Sequence, residues 1–304
     1  MLYTIYSIMR TPTLKQLRYF LALTETGHFG RAADQCFVSQ SAFSNAIREL
    51  ERALETQLVD RTNRNVTITA TGQEVATQAR LVMRDVESLV EIARGGIEPL
   101  TGELRLGVIP TIAPFMLPGA LPKLRRHYPT LKLLLTEDQT ERAYQRLMKG
   151  ELDVVLLALP WQLQGTEEMP LFRDAFCLAC REDTSRIDPE NYRFNRLDSD
   201  SILLLEDGHC LREHALAACR IRNTQKVRRF GASSLLTLIE MVDADLGITF
   251  LPEMAHGSSM LRNTRVKLYA MGEQSYRTIG LVWRKGSQRA DEFRLLGEFL
   301  RDNR

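Results

Sequence analysis

The apolar pattern of this chain changes close to residue 100, and that change is the strongest constraint on its fold. Up to residue 95, apolar side chains recur at the three- and four-residue spacing of helices. From Thr101 onward, short apolar runs of strand length alternate with helical segments. A length of 304 residues leaves room for about two domains of roughly 150 residues each. We therefore expect a mostly helical N-terminal part followed by a larger α/β part.

Composition excludes several classes of protein. With 44% apolar residues, 26% charged residues and a net charge of +2, the chain is typical of a folded globular protein, not of a disordered, collagen-like or highly basic one. Residues 1–100 hold eleven basic and eleven acidic residues, so their charge does not indicate whether they bind nucleic acid. No run approaches the roughly 18 apolar residues of a transmembrane helix, so no membrane partner is expected.

The first residues and the cysteine count predict the cellular location. Residues 1–9 lack the charged start and long apolar stretch of a signal peptide, and Met9 is an alternative start. Five cysteines, an odd number in a long chain, argue against a secreted disulfide framework. The sequence therefore predicts a cytoplasmic protein whose thiols start reduced, and it indicates neither a cofactor nor a metal site.

A helix-turn-helix is predicted between residues 29 and 54. Ala32 and Ala33 allow two helices to approach closely, Val38 fills the turn, and Ser39 is a good N-cap for the next helix. The pattern alone also fits a small helical domain with a solvated polar face. The side chains suited to contacting bases and phosphates are Ser39, Gln40, Ser41, Ser44, Asn45 and Arg48 on the helix, and Arg61 and Arg64 in the hairpin that follows.

A long helix is predicted from about Thr71 to Gly95. Its apolar positions step alternately by four and three residues, which is the repeat of a coiled-coil seam. We expect this helix to pair with a second copy of the chain, although a helix packed on its own domain gives the same pattern. The seam positions are Val75, Ala79, Val82, Val86, Leu89 and Ala93.

Two sets of strands are predicted after residue 100. Strands separated by helical crossovers indicate parallel sheets, and two such sets indicate two lobes. The last strand, at 278–283, and the final helix are expected to return to the first lobe, which leaves a cleft between the lobes as a natural ligand site. The first set is 103–109, 131–136 and 153–159, and the second is 175–180, 202–205, 227–230 and 247–251.

Residues 20–72 resemble the winged helix-turn-helix of LysR-type transcriptional regulators. The shared features are the Ala32-Ala33 pair, the VSQSAFS turn, the I-x-x-L-E motif, and an L-x-x-R-x-x-R wing leading to T-x-x-G, while many members have proline at Ser41. The resemblance implies binding to promoter DNA, a linker helix that dimerises, and a two-lobed α/β effector domain of the periplasmic-binding-protein, Rossmann-like class. The implied domains are 10–70 (winged helix-turn-helix), 71–98 (linker helix) and 99–304 (regulatory domain, with lobe I at about 99–170 and 276–304 and lobe II at about 171–275).

The cysteines differ in their surroundings. Cys177 and Cys180 form a C-x-x-C motif on a predicted strand, where residues three apart point to opposite faces, so buried structural thiols are expected. Cys36 is expected in the core of the helix-turn-helix. Cys210 stands beside His209 at a predicted helix start, where the helix dipole and a nearby imidazolium or arginine stabilise a thiolate.

Cys219 lies nine residues after Cys210. On a helix the two Cα atoms would be about 13 Å apart, whereas a disulfide needs about 7 Å or less. A bond between these cysteines would therefore require the helix to unwind, which would turn oxidation into a conformational switch. From the residues alone, two unrelated thiols remain the alternative.

The effector part is similar to the hydrogen-peroxide-sensing (OxyR) branch of the LysR type. The similar segments are LEDGHCLREHALAAC, GVIPTIAPFMLP, TEDQTERAYQRLMKGELDVVLLAL, ASSLLTLIEMV, GITFLP and RTIGLVWR. The resemblance implies that Cys210 is the peroxidatic cysteine and Cys219 the resolving one. It also implies four residues that position and polarise hydrogen peroxide, namely Thr111, Thr140, His209 and Arg277.

Two stretches depart from that branch. Gly231 stands where the better-known members carry arginine, and residues 243–246 are unusual before GIT, so either could alter how lobes or subunits settle after oxidation. The resemblance implies an activator, not an enzyme, whose disulfide changes how effector domains pair in a homodimer or homotetramer. It would respace the DNA-binding domains and promote contact with RNA polymerase, and cellular thiol reductants would reset it. The alternatives are a regulator that binds a small metabolite and has inert cysteines, and a thiol peroxidase.

Overall fold

The structure is a computed structural model that describes residues 11–61, 66–93, 99–192, 194, 197–218, 227, 231–272 and 274–303. The chain divides into two compact units, residues 1–97 and residues 98–304. Within the described residues, no helix combines the length and the apolar character needed to cross a membrane. Three predicted features lie outside the described residues, namely the wing residue Arg64, the resolving residue Cys219 and residues 228–230 of a predicted strand.

The first unit contains the predicted helix-turn-helix. Ser39 caps its second helix by accepting a hydrogen bond from the Ala42 amide, as its position predicts. The face opposite the polar positions is buried, with Phe43, Ile47 and Leu50 in the core. The elements are α1 (Leu14–Thr26), α2 (Phe29–Gln35), α3 (Gln40–Ala53), and the antiparallel strands β1 (Val59–Arg61) and β2 (Val66–Ile68).

The turn between α2 and α3 carries an unusual residue. Phe37 has a left-handed backbone (φ 56°), and its side chain is 94% exposed. Around it, the Val38 amide donates to the Ala33 carbonyl, and Ala32 and Ala33 are buried where the helices meet. The turn thus places an aromatic side chain in solvent directly before the predicted DNA-reading helix.

The long helix α4 (Ala70–Ala93) begins one residue before the predicted start. Its first half packs against α1, with Val75 half-buried and Ala79 buried. Its second half leaves Val82 41% and Leu89 65% exposed. Pairing along this half of the seam stays a prediction, and the predicted end at Gly95 lies outside the described residues.

Lobe I of the second unit is an α/β layer around a central strand buried along its whole length, β5. Strand β3 runs parallel to β4 and β5, and β9 runs antiparallel to β5. The last strand and last helix therefore return to the first lobe, as their sequence predicts. The elements are β3 (Gly102–Val108), α5 (Ala113–His127), β4 (Leu131–Glu137), α6 (Thr140–Met148), β5 (Val154–Leu159), β9 (Tyr276–Arg284) and α9 (Ala290–Asp302).

Lobe II corrects the expectation of a parallel sheet. The 16-residue strand β6 pairs antiparallel with β9 along its first half, and with β7 and β8 along its second half. One strand thus serves both lobes and is antiparallel to each of its three partner strands. The predicted strand 202–205 forms isolated parallel bridges, which join Ile202 to Val227 and to Ile248, and Leu205 to Ala232, so the expected parallel direction holds among these segments. The elements are β6 (Thr166–Arg181), α7 (Cys210–Ala218), α8 (Leu235–Asp243), β7 (Thr249–Pro252) and β8 (Val266–Ala270).

Candidate functional site

Cys210 is the first residue of α7 and lies where the cores of the two lobes meet. Its side chain belongs to the core of lobe I, whereas Leu211 and Ala215 on the same helix belong to the core of lobe II. Only 2% of Cys210 is exposed, and its thiol is free. A change in the bonding of this sulfur therefore acts on a helix that both lobes hold.

Thr140 comes to the same place from lobe I. It is the first residue of α6 and is buried. Hydrogen bonding between the Thr140 hydroxyl and the sulfur lowers the pKa of the Cys210 thiol. Apart from this thiol, the hydroxyl has no hydrogen-bond partner among the described residues. Thr140 therefore supplies a polar group that is directed at the sulfur and not otherwise used.

Arg277 is a fully enclosed cation held in one orientation. Its Nε donates to Asp174 Oδ2 at 2.9 Å, its Nη1 to Thr111 Oγ1 at 2.9 Å, and its Nη2 to the Thr111 carbonyl at 2.8 Å. The Asp174 carboxylate also accepts from the Met254 amide, and burial raises its pKa although Arg277 opposes this. The positive charge of Arg277 lowers the pKa of the Cys210 thiol. Thr111 thus acts on the sulfur by fixing Arg277.

The resting state of the sulfur differs from the sequence expectation. Burial raises the pKa of the Cys210 thiol above its ordinary value of 9.0 and outweighs the lowering by Thr140, Arg277 and the Ala158 backbone. Of the imidazolium or arginine expected beside it, the arginine is the cation that lowers the pKa of the thiol, because burial lowers the pKa of His209 and favours the neutral ring. Cys210 is therefore a protonated thiol at neutral pH, and Thr140 and Arg277 are the groups placed to stabilise the thiolate once the proton leaves.

His209 is linked to lobe I through Gln139, a residue that the sequence did not single out. The Gln139 side-chain nitrogen lies 3.2 Å from His209 Nε2, so the ring accepts this bond in its neutral form. Gln139 is the N-cap of α6 but makes no capping bond with its side chain. Gly208 permits the approach, because its φ is +96° and a Cβ there would lie 2.7 Å from Gln139 Oε1.

The sequence brought forward six residues for this site, and the structure describes five of them. Cys210, Thr140, Arg277 and Thr111 form one buried cluster, and His209 adjoins it along the chain. The sequence did not bring forward Asp174, which directly precedes the apolar run 175–180, where an acidic side chain is a signal for a buried partner. His214, one turn beyond Cys210 on α7, was also missed.

The remaining described cysteines have structural surroundings. Cys177 and Cys180 are buried on β6, and burial raises the pKa of each thiol to about 11. Burial also raises the pKa of Cys36, which packs against the core of the helix-turn-helix. These thiols are poor nucleophiles at neutral pH, as expected from their positions in strands and core.

The two departures from the peroxide-sensing pattern have local contacts. A Cβ at Gly231 would lie 2.9 Å from the Glu206 amide nitrogen, so a side chain here requires the segment leading to Cys210 to shift. Asp245 accepts a 2.7 Å bond from the Thr184 hydroxyl, and Asp243 accepts one of 2.6 Å from the Arg265 amide. Residues 243–246 therefore connect the end of α8 to neighbouring loops. Gly231, in contrast, contacts the segment that leads from Glu206 to Cys210.

The predicted DNA-reading positions lie along one face of α3. Ser39, Gln40, Ser41, Asn45 and Arg48 are exposed, and Ser44 is half-buried. The Ser39 hydroxyl lies 3.1 Å from that of Ser41 and also caps the helix. Arg61 is the last residue of β1, and its side chain, like Arg64, lies outside the described part of the structure. The exposed face offers amide and hydroxyl groups at the spacing of one helical turn.

Two family models match the chain. One, described as a bacterial regulatory helix-turn-helix protein of the lysR family, matches residues 14–73, and one described as a LysR substrate binding domain matches residues 98–304. The chain is 40% identical over 292 residues to the HTH-type transcriptional regulator EstR of Acinetobacter baylyi, covering 95% of this chain and 96% of that protein.

Two further proteins are similar over nearly the whole chain. The DNA-binding transcriptional dual regulator OxyR of Escherichia coli is 40% identical over 288 residues, covering 95% of this chain and 94% of that protein. The structure of a full-length OxyR variant from Pseudomonas aeruginosa matches with a TM-score of 0.80 and 31% identity, covering 95% of this chain and 94% of that chain.

Proposed function

The chain belongs to the LysR family of bacterial transcriptional regulators, and we propose that it senses hydrogen peroxide through the thiol of Cys210. It is a DNA-binding regulator rather than an enzyme. The observation that carries the proposal is the enclosure of Cys210 by the Thr140 hydroxyl and the Arg277 charge, at the helix that both lobes share. Relatives that carry the name hydrogen peroxide-inducible genes activator support the same assignment.

The first chemical step is attack of the Cys210 sulfur on one oxygen of hydrogen peroxide. The O–O bond breaks, an S–O bond forms, and the departing hydroxide takes up the thiol proton, so the products are a sulfenic acid and water. The sulfur is oxidised by two electrons and the peroxide is reduced. Arg277 stabilises the thiolate and the departing hydroxide, and Thr140, Thr111 and His209 position the peroxide oxygens.

The second step is condensation of the sulfenic acid with the thiol of Cys219, which forms a disulfide and releases a second water. Helix α7 runs from Cys210 to Ala218, so those Cα atoms are about 12 Å apart, beyond the roughly 7 Å of a disulfide. Bond formation therefore unwinds α7. Because this helix contributes to the cores of both lobes, its unwinding changes the arrangement of the lobes and of the subunits.

The output of this switch is transcriptional. We assign DNA reading to the exposed residues of α3 with the wing arginines, in a chain organised as residues 10–70, 71–98 and 99–304. The exposed seam of α4 supports a homodimer, with the homotetramer as the larger assembly. Oxidation respaces the DNA-binding domains and promotes contact with RNA polymerase, cellular thiol reductants break the disulfide again, and the regulator acts in the cytoplasm.

Mass spectrometry after about one equivalent of hydrogen peroxide tests the sensor. We expect a peptide joined by a Cys210–Cys219 disulfide in the wild type, and a sulfenic acid at Cys210 that reacts with dimedone in Cys219→Ser. The matched control is Cys180→Ser, which should form the disulfide as the wild type does. Absence of the joined peptide, with DNA binding intact, would instead favour the regulator that binds a small metabolite and has inert cysteines.

A further inference from the structure

His214 lies on α7 one helical turn after Cys210, on the same side of the helix. Its Nε2 is 3.4 Å from the carbonyl oxygen of Pro160, the residue that directly follows β5 of lobe I. A carbonyl oxygen only accepts, so Nε2 carries the hydrogen and the lone pair of the neutral ring is on Nδ1. Nδ1 is enclosed and has no hydrogen-bond partner among the described residues.

The charges around this ring disfavour its protonated form. Burial has the largest influence and lowers the pKa of His214, and the positive charge of Arg277 lowers it further. The Pro160 carbonyl and Glu213 act in the opposite direction. The charge of Arg277 is itself paired with the Asp174 carboxylate. Cys210 is a neutral thiol and His209 a neutral ring in this state, so neither compensates a second cation.

We propose that neutral His214 is a positioning residue that latches the first turns of α7 onto lobe I through the Pro160 carbonyl, and that protonation of His214 releases this latch. Cys210 and His214 then hold the helix to lobe I at two points one turn apart. The first contact places the sulfur under Thr140 and Arg277, and the second resists unwinding. Its consequence for peroxide sensing rests on the function proposed above.

Proton dependence follows from the same geometry. When the pH falls through the lowered pKa of His214, the ring gains a proton at Nδ1, where no acceptor is available, and becomes a second enclosed cation near Arg277. The docked helix is destabilised relative to the released one, where water solvates the imidazolium. Acid should therefore loosen α7 in the reduced protein before any oxidant is present.

Hydrogen exchange in the reduced full-length chain tests the latch without peroxide. After correction for intrinsic exchange rates, we expect the amides of α7 to open about five-fold more at pH 5.5 than at pH 7.5, because the docked helix then encloses a cation that the released helix exposes to water. His214→Gln keeps an N–H donor for Pro160 and does not titrate, so the pH response of its α7 should be smaller than that of the wild type, and the difference between the two measures the contribution of His214. His214→Leu should be about five-fold more open than the wild type at pH 7.5.

His127→Gln is the matched control, since His127 is exposed on α5 and its loss should leave the wild-type pH response. The proposal is overturned if His214→Gln keeps that response, or if His214→Leu exchanges like the wild type at pH 7.5. A second readout follows the sulfenic acid and the disulfide after peroxide, where His214→Leu should convert the first into the second about five-fold faster. If no disulfide forms even in the wild type, the sensor proposal fails while the exchange result still decides the latch.

Discussion

Arg277 and Asp174 face each other across the antiparallel strands β9 and β6, with the guanidinium Nε 2.9 Å from the carboxylate and both side chains enclosed. The pair lies where β6 passes from one lobe toward the other. Thr111 accepts hydrogen bonds from the other two nitrogens of the guanidinium. The positive charge of Arg277 is therefore fixed beside Cys210 and cannot turn toward solvent. An ion pair in the core thus provides the only fixed cation that lowers the Cys210 pKa within the described residues.

Replacing Arg277 by lysine tests whether this fixed geometry matters for oxidation. One ammonium group cannot make the three directed bonds of the planar fork, so we expect Arg277→Lys to lose about 3 kcal/mol of stability. Cys210 should oxidise about ten-fold more slowly, measured by dimedone trapping, because the thiolate loses about 1.4 kcal/mol of stabilisation. Arg284→Lys, on the same strand and bonded to the Leu147 and Leu152 carbonyls, is the control. It should cost stability without slowing oxidation, and equal slowing in both variants would contradict the assigned role.

Thr140→Val removes the hydroxyl that favours the thiolate while keeping the shape of the side chain. The pKa of the Cys210 thiol should then rise further, and its oxidation at neutral pH should slow about ten-fold, as expected for a hydrogen bond to a charged group. The rate should also need a more alkaline solution to reach its plateau. Thr249→Val, which loses a buried hydroxyl bonded to the Leu203 carbonyl, is the control for hydroxyl loss alone. An unshifted pH profile in Thr140→Val would show that this hydroxyl does not act on the sulfur.

Cys177 and Cys180 should make the protein sensitive to alkali. Burial raises the pKa of each thiol from 9.0 to about 11, so between these values the folded chain keeps protons that the unfolded chain releases. Their stabilising contribution is therefore complete below pH 9 and is lost as the pH rises toward 11. The free energy of unfolding that each thiol can contribute in this way is at most about 3 kcal/mol. Urea unfolding across this range should show a shallower fall for Cys177→Ser and Cys180→Ser, whose hydroxyls do not ionise there. Slopes equal to the wild type would mean that these thiols titrate normally.

The sequence predicts those parts of the site that depend on neighbours along the chain. A turn followed by helical spacing is enough to place Cys210 at a helix start, and an N-cap preference is enough for Ser39. The partner of Arg277 is not readable in this way, because Asp174 lies 103 positions away and meets it through strand register. The protonation state of Cys210 depends on its burial between the cores of the two lobes. A helical pattern in the sequence does not say which face of α7 packs against which core. For this reason the sequence identifies the residue and a cation that favours its thiolate, but not the burial that raises its pKa.

Phe37 should be a site where a polar substitution stabilises the fold. Its left-handed backbone strains a bulky L-residue, and its side chain is almost fully exposed, so little burial is lost on replacement. Phe37→Asn should raise the stability of the helix-turn-helix unit by roughly 0.5–1 kcal/mol, because asparagine adopts this conformation more readily. Phe37→Leu keeps a bulky apolar side chain in the same conformation and should bring no gain. Thermal unfolding of the two variants separates backbone strain from exposure, and equal melting temperatures would exclude the strain.

The second half of α4 should decide whether two chains associate. Val82 and Leu89 repeat at seam spacing and stay exposed, although Ala79 of the same seam is buried. A charge at Leu89 would have to be desolvated at the centre of a paired seam, so Leu89→Lys should shift the chain toward monomers in sedimentation velocity at micromolar concentration. Glu87→Gln changes the net charge by the same amount at an exposed position off the seam, and should leave the assembly unchanged. If Leu89→Lys sediments as the wild type does, the subunits pair elsewhere, and the exposed seam of α4 is not the contact that links the DNA-binding units.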